Sequence, residues 1–351
     1  MDDSDDVTAA APMAEAANAA AATDAPASDA TNEAAQAVTM AQLRVPRFGA
    51  QYLEQARQQL FSRHAEYLPY LMHHLDIHPG MTVVDVGCGT GVYTRLMASR
   101  LQGEGFALGI DLHPDLVERA RQHAAQEGWG SLTEFRVGDA LKLPLPDQFA
   151  DMIFCNSVLW LLPEPTVALK EMRRVLKPGG RVLTAEPDGG LVHSYDPERP
   201  RLSELELRFQ ETFVRGSREL DGHDYDIGRR LPALFIDAGF VRVRAFPRLF
   251  VAAGCDLGDN PQRALADRIQ EYRQALAAFT SRDPEMLAAR EKRASRARAG
   301  GMSDEELAEH EHETIAWLTE RINDPRRILY DGATYIYGGI LCQGLRYDEP
   351  N

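Results

Sequence analysis

The sequence predicts an α/β protein with a mostly parallel sheet and helices on both faces. Two observations carry this prediction: short apolar, β-branched runs alternate with stretches of helical spacing, and Gly, Asp or Asn residues stand where the runs end. The carboxyl ends of parallel strands meet at one edge of a sheet, and ligands bind there. We therefore expect the functional residues at Gly87–Gly91, Asp111, Asp139 and Asn156.

The first elements lead up to that edge. Apolar residues at helical spacing across 48–75 predict one or two N-terminal cap helices, which end before Pro79-Gly80. Thr82–Val86 predicts a strand, followed by the glycine turn and a helix that ends at Leu101. Further strands are expected at 106–110, 132–137, 152–155 and 181–185, with helices at 114–127 and 164–177.

Beyond the fifth strand, residues 227–238 predict a helix and residues 241–250 alternate like a strand. A charged segment then follows that is far longer than an ordinary connection, and the last apolar run comes at 334–345. Amphipathic helices are expected in this segment at 261–279, 284–297 and 303–322. The resulting division is an acidic tail (1–40), a core with N-terminal cap helices (41–256), a helical insertion (257–330) and a last strand with a C-terminal tail (331–351).

The tail is unlike the rest of the chain. Residues 1–40 hold eight acidic side chains and no Lys or Arg, out of a formal net charge of −15 for the whole chain. Ala, Ser, Thr and Pro fill much of the remainder, so few large apolar groups offset the entropy of ordering. We expect this tail to be disordered, and a helical arm is the alternative because Ala favours helices. The acidic balance of the rest disfavours nucleic acid as a partner.

Composition also bears on location and metal binding. No apolar run approaches the roughly 18 residues that span a bilayer, and no basic segment followed by an apolar region opens the chain. The four cysteines lie far apart, with no histidine at zinc-ligand spacing. We expect a soluble, cytoplasmic protein with no membrane span and no metal site.

The glycine turn is the first candidate for a binding site. Gly87, Gly89 and Gly91 let the backbone turn tightly, and a ligand can approach the main chain where a Cβ would collide. Asp111 ends the second strand 26 residues after Asp85, a spacing at which an acid accepts hydrogen bonds from ribose hydroxyls. A merely tight connection is the alternative interpretation of the glycines.

A nicotinamide dinucleotide site would also place an acid near residue 111. That site usually has a third glycine three residues after the second, where this chain has Val92. Asp85, two residues before the first glycine, also suits an ammonium-bearing ligand better than a pyrophosphate. These two differences disfavour the dinucleotide.

Val83–Gly91 resembles motif I of the class I S-adenosylmethionine-dependent methyltransferases. The resemblance continues through four further motifs, at Gly109–Leu112, Gly138–Ala140, Leu143–Asp151 and Glu171–Gly180. It is greatest for the small-molecule branch typified by ubiquinone- and menaquinone-biosynthesis enzymes. It implies a Rossmann-like seven-stranded sheet, in which the last strand lies antiparallel between strands five and six. The long insertion departs from the short hairpin that usually joins those last strands.

The resemblance also implies roles for individual residues around S-adenosylmethionine. The glycine loop would contact the methionine part, Asp111 the ribose, Asp139-Ala140 the adenine, and Asn156 the region of the transferred methyl group. Tyr52 would close over the site from the cap helix. The full expected cofactor set is Tyr52, Asp85, Gly87, Cys88, Gly89, Gly91, Asp111, Leu112, Asp139, Ala140, Asn156 and Ser157.

Methyl transfer is an in-line displacement that requires alignment and exclusion of water rather than a metal. A base assists when the acceptor is a hydroxyl or an acidic carbon. His193 and His223 are the expected catalytic candidates, and a solvated or capping role is the alternative for each. Glu186, Asp188, Tyr195 and Tyr225 are further candidates near the expected mouth of the cleft.

These inferences predict a methyltransferase that acts on a small, partly apolar metabolite. The alternatives are a catalytically silent S-adenosylmethionine-binding regulatory module and a protein methyltransferase. The insertion is expected to form either a lid over the acceptor or the surface of a homodimer.

Overall fold

A computed structural model describes residues 67–253, 261–329 and 332–347. The expected acidic tail, Tyr52 and most of the N-terminal cap segment lie outside the described residues. The last turns of that segment form α1, Tyr67–Leu75, which buries Tyr67, Leu71 and Leu75 on one face. This stripe at helical spacing is the part of the predicted cap that the structure describes.

The first part of the chain alternates strands with helices, as the apolar runs predict. The elements are β1 (Thr82–Val86), α2 (Val92–Arg100), β2 (Phe106–Asp111), α3 (Pro114–Gln126), β3 (Thr133–Val137), β4 (Ala150–Asn156), α4 (Pro165–Val175) and β5 (Leu176–Pro187). The five strands lie in the order β3-β2-β1-β4-β5 and are all parallel. The strand order reverses between β1 and β4, so the loops after these two strands flank the crevice where ligands bind in such sheets.

An antiparallel part completes the sheet. It contains β6 (His193–Tyr195), β7 (Val241–Ala253) and β8 (Thr334–Leu345). β8 lies between β5 and β7 and is antiparallel to both, which confirms the expected position of the last strand. The expected number of seven strands is wrong, because the described residues form eight. The additional strand is β6, which has three residues and pairs with the first residues of β8, and it is too short for an alternating pattern to reveal it.

Helices cover both faces of the sheet, as expected. On one face, α1 and α2 pack in a cluster with β-strand residues that include Phe154 and Leu341. On the other face, Phe235 of α6 (Ile227–Asp237) packs so closely on Gly344 that a Cβ there would lie 2.7 Å from its ring. Leu341 and Gly344 are an odd number of residues apart on β8, so they point to opposite faces.

The insertion is helical, and three of its helices have boundaries close to those expected: α7 (Pro261–Thr280), α8 (Pro284–Ala299) and α9 (Asp304–Asn323). The four-residue α10 (Arg326–Leu329) was not predicted. A further helix, α5 (Pro200–Asp221), was not predicted. It carries Leu205, Phe209 and Val214 on its buried face, and Phe209 packs against α8 and α9 residues.

α5 and α8 cross with their backbones in contact at two glycines. A Cβ at Gly216 would lie 1.7 Å from the carbonyl oxygen of Arg296, and a Cβ at Gly300 would lie 1.8 Å from that of Thr212. No side chain fits at either position, so this crossing depends on glycine on both sides. None of the helices in the described ranges is both long and apolar enough to cross a bilayer.

Candidate functional site

The loop after β1 has the conformation that its glycines suggest. Gly87, Gly89 and Gly91 all have positive φ angles, of 74°, 55° and 76°. A Cβ at Gly87 would lie 2.2 Å from a methyl group of Val158, and a Cβ at Gly91 would lie 2.6 Å from the Phe135 ring. Both the backbone conformation and the space therefore exclude larger residues, and the loop presents bare main chain ahead of the N-terminus of α2.

Asp111, at the end of β2, holds this loop in place. Its Oδ2 accepts the Gly89 N–H at 2.8 Å, and its Oδ1 accepts the His113 N–H at 3.0 Å. The side chain is buried, and this burial raises the pKa of its carboxyl group, an effect that the two backbone hydrogen bonds partly offset. Each carboxylate oxygen retains a second acceptor site, so Asp111 can support the loop and still accept from ligand hydroxyls.

Asp85 and Cys88 lie beneath the loop. Asp85 is 2% exposed and accepts the Thr94 hydroxyl at 2.6 Å, which joins the end of β1 to α2. Cys88 is also buried, and desolvation raises the pKa of its thiol well above the usual range, with Asp111 adding to the effect. The thiol therefore stays protonated, which indicates a packing role rather than a nucleophilic one.

The predicted adenine residues lie at the neighbouring strand end. The Gly138 N–H donates to the Asp111 carbonyl at 2.9 Å, which brings the loop after β3 beside the end of β2. Asp139 is half-buried, and its Oδ1 accepts the Leu141 N–H at 2.8 Å. Leu112 and Ala140 are half-buried beside these carboxylates. The structure thus brings the ribose and adenine candidates together along one edge.

Asn156 and Ser157 end β4 across the crevice. Asn156 is 5% exposed, and its Nδ2 donates to the Ser157 hydroxyl at 3.3 Å. Ser157 has a φ angle of 57°, a left-handed conformation that a non-glycine residue rarely adopts, and its N–H donates to the Ala185 carbonyl at 2.9 Å. Such conformations cluster at functional sites because the surrounding structure has to hold them. Val158, the next residue, packs against Gly87 on the side where a Cβ would otherwise lie.

Glu186, on β5, secures the loop that follows Ser157. Its carboxylate accepts the N–H groups of Val158 at 3.2 Å, Leu159 at 3.1 Å and Trp160 at 3.3 Å. The side chain is fully buried, and desolvation raises its pKa from 4.5 to about 7 despite these hydrogen bonds. Because both oxygens are directed at backbone donors, we assign Glu186 a positioning role in place of the base considered from sequence.

The raised pKa predicts a pH-dependent stability. The folded chain holds the Glu186 proton more tightly than the unfolded chain does, so this group stabilises the fold below about pH 4.5 and the contribution is lost as the pH rises to about 7. The expected loss is up to about 3 kcal/mol. Glu186→Gln should remove this slope in urea denaturation between about pH 5 and pH 7. Glu171→Gln is the control, since the Arg174 hydrogen bond lowers the Glu171 pKa below this window. A slope equal to that of the wild type in Glu186→Gln would contradict the assignment.

The two predicted catalytic histidines lie in different surroundings. His193 lies on β6, where it is exposed and one ring nitrogen is 3.1 Å from the Gly190 carbonyl oxygen. His223 is 4% exposed, and its ring lies 5.3 Å from that of Trp160, in the loop that Glu186 holds. The structure therefore brings His223, but not His193, against a residue of the site loops.

The structure also shows the surroundings of the other candidate bases. Asp188 is 3% exposed and forms an ion pair with Arg229, which indicates a structural role. Tyr195 is 59% exposed, and Tyr225 packs on Trp160 with ring centroids 4.5 Å apart. Within the described residues, no three His, Cys, Asp or Glu side chains are grouped so that they would hold a metal ion.

Sequence reasoning missed one charged residue at this site. Arg248, on β7, donates from Nη1 to the Asn156 Oδ1 at 3.3 Å and to the Tyr67 hydroxyl at 3.4 Å. The sequence did contain a signal for Arg248: it lies between Phe246 and Phe250 on one face of an alternating strand, where an apolar residue is expected.

This chain is similar to several known proteins. Residues 77–222 match the model of a family described as a methyltransferase domain. An uncharacterized 37.1 kDa transposon protein of Streptomyces fradiae is 32% identical over 50% of this chain, and this alignment covers 47% of that protein. The demethylmenaquinone methyltransferase of Geobacillus kaustophilus is 27% identical over 56% of this chain and 87% of its own length. A SAM-dependent methyltransferase structure from Aquifex aeolicus is 20% identical, with a TM-score of 0.41, over 59% of this chain and 93% of that one.

Proposed function

Because residues 77–222 form a methyltransferase domain of the class I S-adenosylmethionine-dependent type, we propose that the protein transfers a methyl group to a small, partly apolar molecule. The observation that carries this proposal is the glycine loop held by Asp111 opposite the strained turn at Ser157. It forms a cradle of bare backbone at the crevice of a parallel sheet, as a nucleoside-bearing ligand requires.

The residues in this cradle fit S-adenosylmethionine. Added Cβ atoms at Gly87 or Gly91 would collide with Val158 or Phe135, so glycine at these positions lets the loop keep its tight turn against the neighbouring elements. Asp111 would accept from the ribose hydroxyls, Asp139-Ala140 would contact the adenine, and the glycine loop and Asn156 would contact the methionine part. When bound, the cofactor supplies an electrophilic methyl group on a sulfonium. The protein aligns the acceptor with that group and excludes water.

The acceptor would lie beside the loop after β4. Trp160, Leu161 and Leu162 form an apolar, buried surface there, and Glu186 holds the backbone that carries them. The name of the demethylmenaquinone methyltransferase, one of the relatives, supports a small and partly apolar acceptor. His223 is the better placed of the two predicted bases because its ring packs on Trp160, whereas His193 is exposed.

Turnover with labelled cofactor tests this proposal. Purified protein and methyl-labelled S-adenosylmethionine are incubated with a fractionated cell extract, and label is followed separately in small molecules and in protein. We expect label in an organic-soluble small molecule with the wild type and a large loss with Asp111→Ala. Label in protein alone would instead support the protein methyltransferase alternative. Binding of S-adenosylhomocysteine without a labelled product in any fraction would support the silent binding module.

A further inference from the structure

The Arg248 side chain crosses from the far side of β8 into the candidate site. Arg248 is paired in register with Gly339 on β8, and Gly339 in turn pairs with Pro187 on β5, the residue after Glu186. A Cβ at Gly339 would lie 3.1 Å from Nη2 of Arg248, so the side chain passes over a position that lacks one. Its head group arrives at Asn156, at the end of β4. Gly339 thus gives a residue on the outer strand access to the centre of the crevice.

The surroundings of this guanidinium are mostly apolar and neutral. Phe246 and Phe250 flank Arg248 on the same face of β7 and pack against α1, where the ring of Phe250 lies 5.3 Å from that of Tyr67. The Tyr67 ring also lies 5.8 Å from the Arg248 head group. Glu186, a buried acid nearby, attracts the Arg248 charge, but its oxygens accept from three backbone N–H groups and not from the guanidinium. In the part of the chain that the structure describes, Arg248 forms no ion pair with a carboxylate.

The hydrogen-bond donors of Arg248 are only partly used within the described residues. Both hydrogen bonds come from Nη1 and are long, and both acceptors are neutral groups. Nε is buried and has no hydrogen-bond partner among the described residues. Burying a guanidinium is costly unless an anion and matching acceptors compensate for the lost water. The buried Arg321 shows the usual solution in this fold, because it contacts Asp196 at 3.2 Å.

We propose that Arg248 binds a carboxylate on the methyl acceptor and so restricts the substrates to acids. The Nε and Nη2 edge of a guanidinium matches the two oxygens of a carboxylate, an arrangement that gives both strength and orientation. A carboxylate held there would lie near Asn156, where the resemblance places the transferred methyl group. This inference rests on the proposed function, and it narrows the acceptor from a partly apolar molecule to one that also carries a negative charge.

The experiment compares carboxylates with their amides, so it does not require the natural acceptor. The probes are benzoate, hexanoate and indole-3-acetate with benzamide, hexanamide and indole-3-acetamide, titrated by calorimetry or ligand-detected NMR into protein saturated with S-adenosylhomocysteine. We expect the wild type to bind at least one acid about tenfold more tightly than its amide. In Arg248→Gln this preference should fall to about one. Arg248→Lys should keep part of it, because the charge remains but the fork is lost.

Arg244→Gln is the matched control. Arg244 precedes Arg248 on the same face of β7, is exposed, and lies over the Phe246 ring at 5.2 Å. Its replacement removes the same charge from the same strand and should leave the preference for acids unchanged. Equal affinity of acids and amides in the wild type, or an equal loss in both variants, would overturn the proposal. The Arg248→Lys result decides the matter if circular dichroism shows that Arg248→Gln does not fold.

A second measurement distinguishes a carboxylate on the methyl acceptor from the carboxylate of the cofactor itself. S-adenosylhomocysteine carries a carboxylate and 5′-methylthioadenosine does not. We expect Arg248→Gln to bind both about as well as the wild type does. A selective loss of S-adenosylhomocysteine affinity would assign Arg248 to the cofactor and overturn the acceptor assignment. Failure of the wild type to bind either nucleoside would instead count against the proposed function. The affinities for acids and amides would then be measured on the protein without a nucleoside, so the role of Arg248 would still be tested.

Discussion

Asp196→Ala is expected to lower the free energy of unfolding by about 3–5 kcal/mol, the range for breaking a buried ion pair by removing one partner. Asp196 is 4% exposed, and its Oδ2 accepts the Trp317 indole N–H at 2.7 Å and contacts Arg321 at 3.2 Å. Arg321 is itself only 3% exposed. The alanine variant therefore leaves a buried guanidinium without this carboxylate and an indole N–H without its acceptor.

Urea denaturation measures this effect, with Glu309→Ala as the matched control. Glu309, on α9, forms an ion pair with Arg201 of α5, but both side chains are about half exposed, so water replaces the lost contact. We expect a much smaller loss for the control, since exposed ion pairs contribute little. Similar losses in the two variants would show that burial of the Asp196 contacts does not determine their contribution.

Asp111→Ala is expected to weaken binding of S-adenosylhomocysteine by about 1.5–3 kcal/mol, the range for hydrogen bonds to a charged group. This corresponds to a rise in Kd of roughly 10-fold to 150-fold. Two contributions act together, because the carboxylate would lose its contacts with the ribose and also its hydrogen bond to the Gly89 N–H. Asp111→Asn keeps one acceptor oxygen and should lose less.

Calorimetry on the folded variants measures this prediction. Glu118→Ala is the control, because Glu118 lies on the adjacent α3 but is exposed and pairs only weakly with Arg121, at 3.5 Å. Its Kd should match that of the wild type. An unchanged Kd in a folded Asp111→Ala protein would remove the ribose assignment, whatever the outcome of the turnover experiment.

The parallel half of the fold was predictable because its signals are local. Most of these strands contain a short apolar run, and Gly, Pro or Asp lies within a few residues of their boundaries. The same locality made the glycine loop and Asp111 predictable, and the family match confirms the methyltransferase interpretation. The three long helices of the insertion were also predicted, within about two residues at each end, and each has proline or serine near its start.

The features that the sequence did not reveal depend on strand pairing between residues that are far apart in the chain. β6 forms because its three residues pair with the first residues of β8, about 140 positions later in the chain. Arg248 reaches Asn156 only because β8 is inserted between β5 and β7 with Gly339 in the intervening position. Neither the register nor that glycine gap is visible in a local window. The α5 helix, by contrast, had a usable signal in Leu205, Phe209 and Val214, which follow Pro200 at helical spacing.

The glycine crossing of α5 and α8 has a mechanical consequence for the insertion, which the sequence predicts to be either a lid or a dimer surface. Helices whose backbones touch at Gly216 and Gly300 cannot slide or separate without losing close packing, so the insertion and α5 should move as one lever. The connection before α5 contains β6, which is paired with β8, so a pivot for this lever would lie in residues 196–199. Rotation there would act on β6 and through it on β8, the strand between β5 with Glu186 and β7 with Arg248, so motion of the insertion would be transmitted to the strand that separates these two residues.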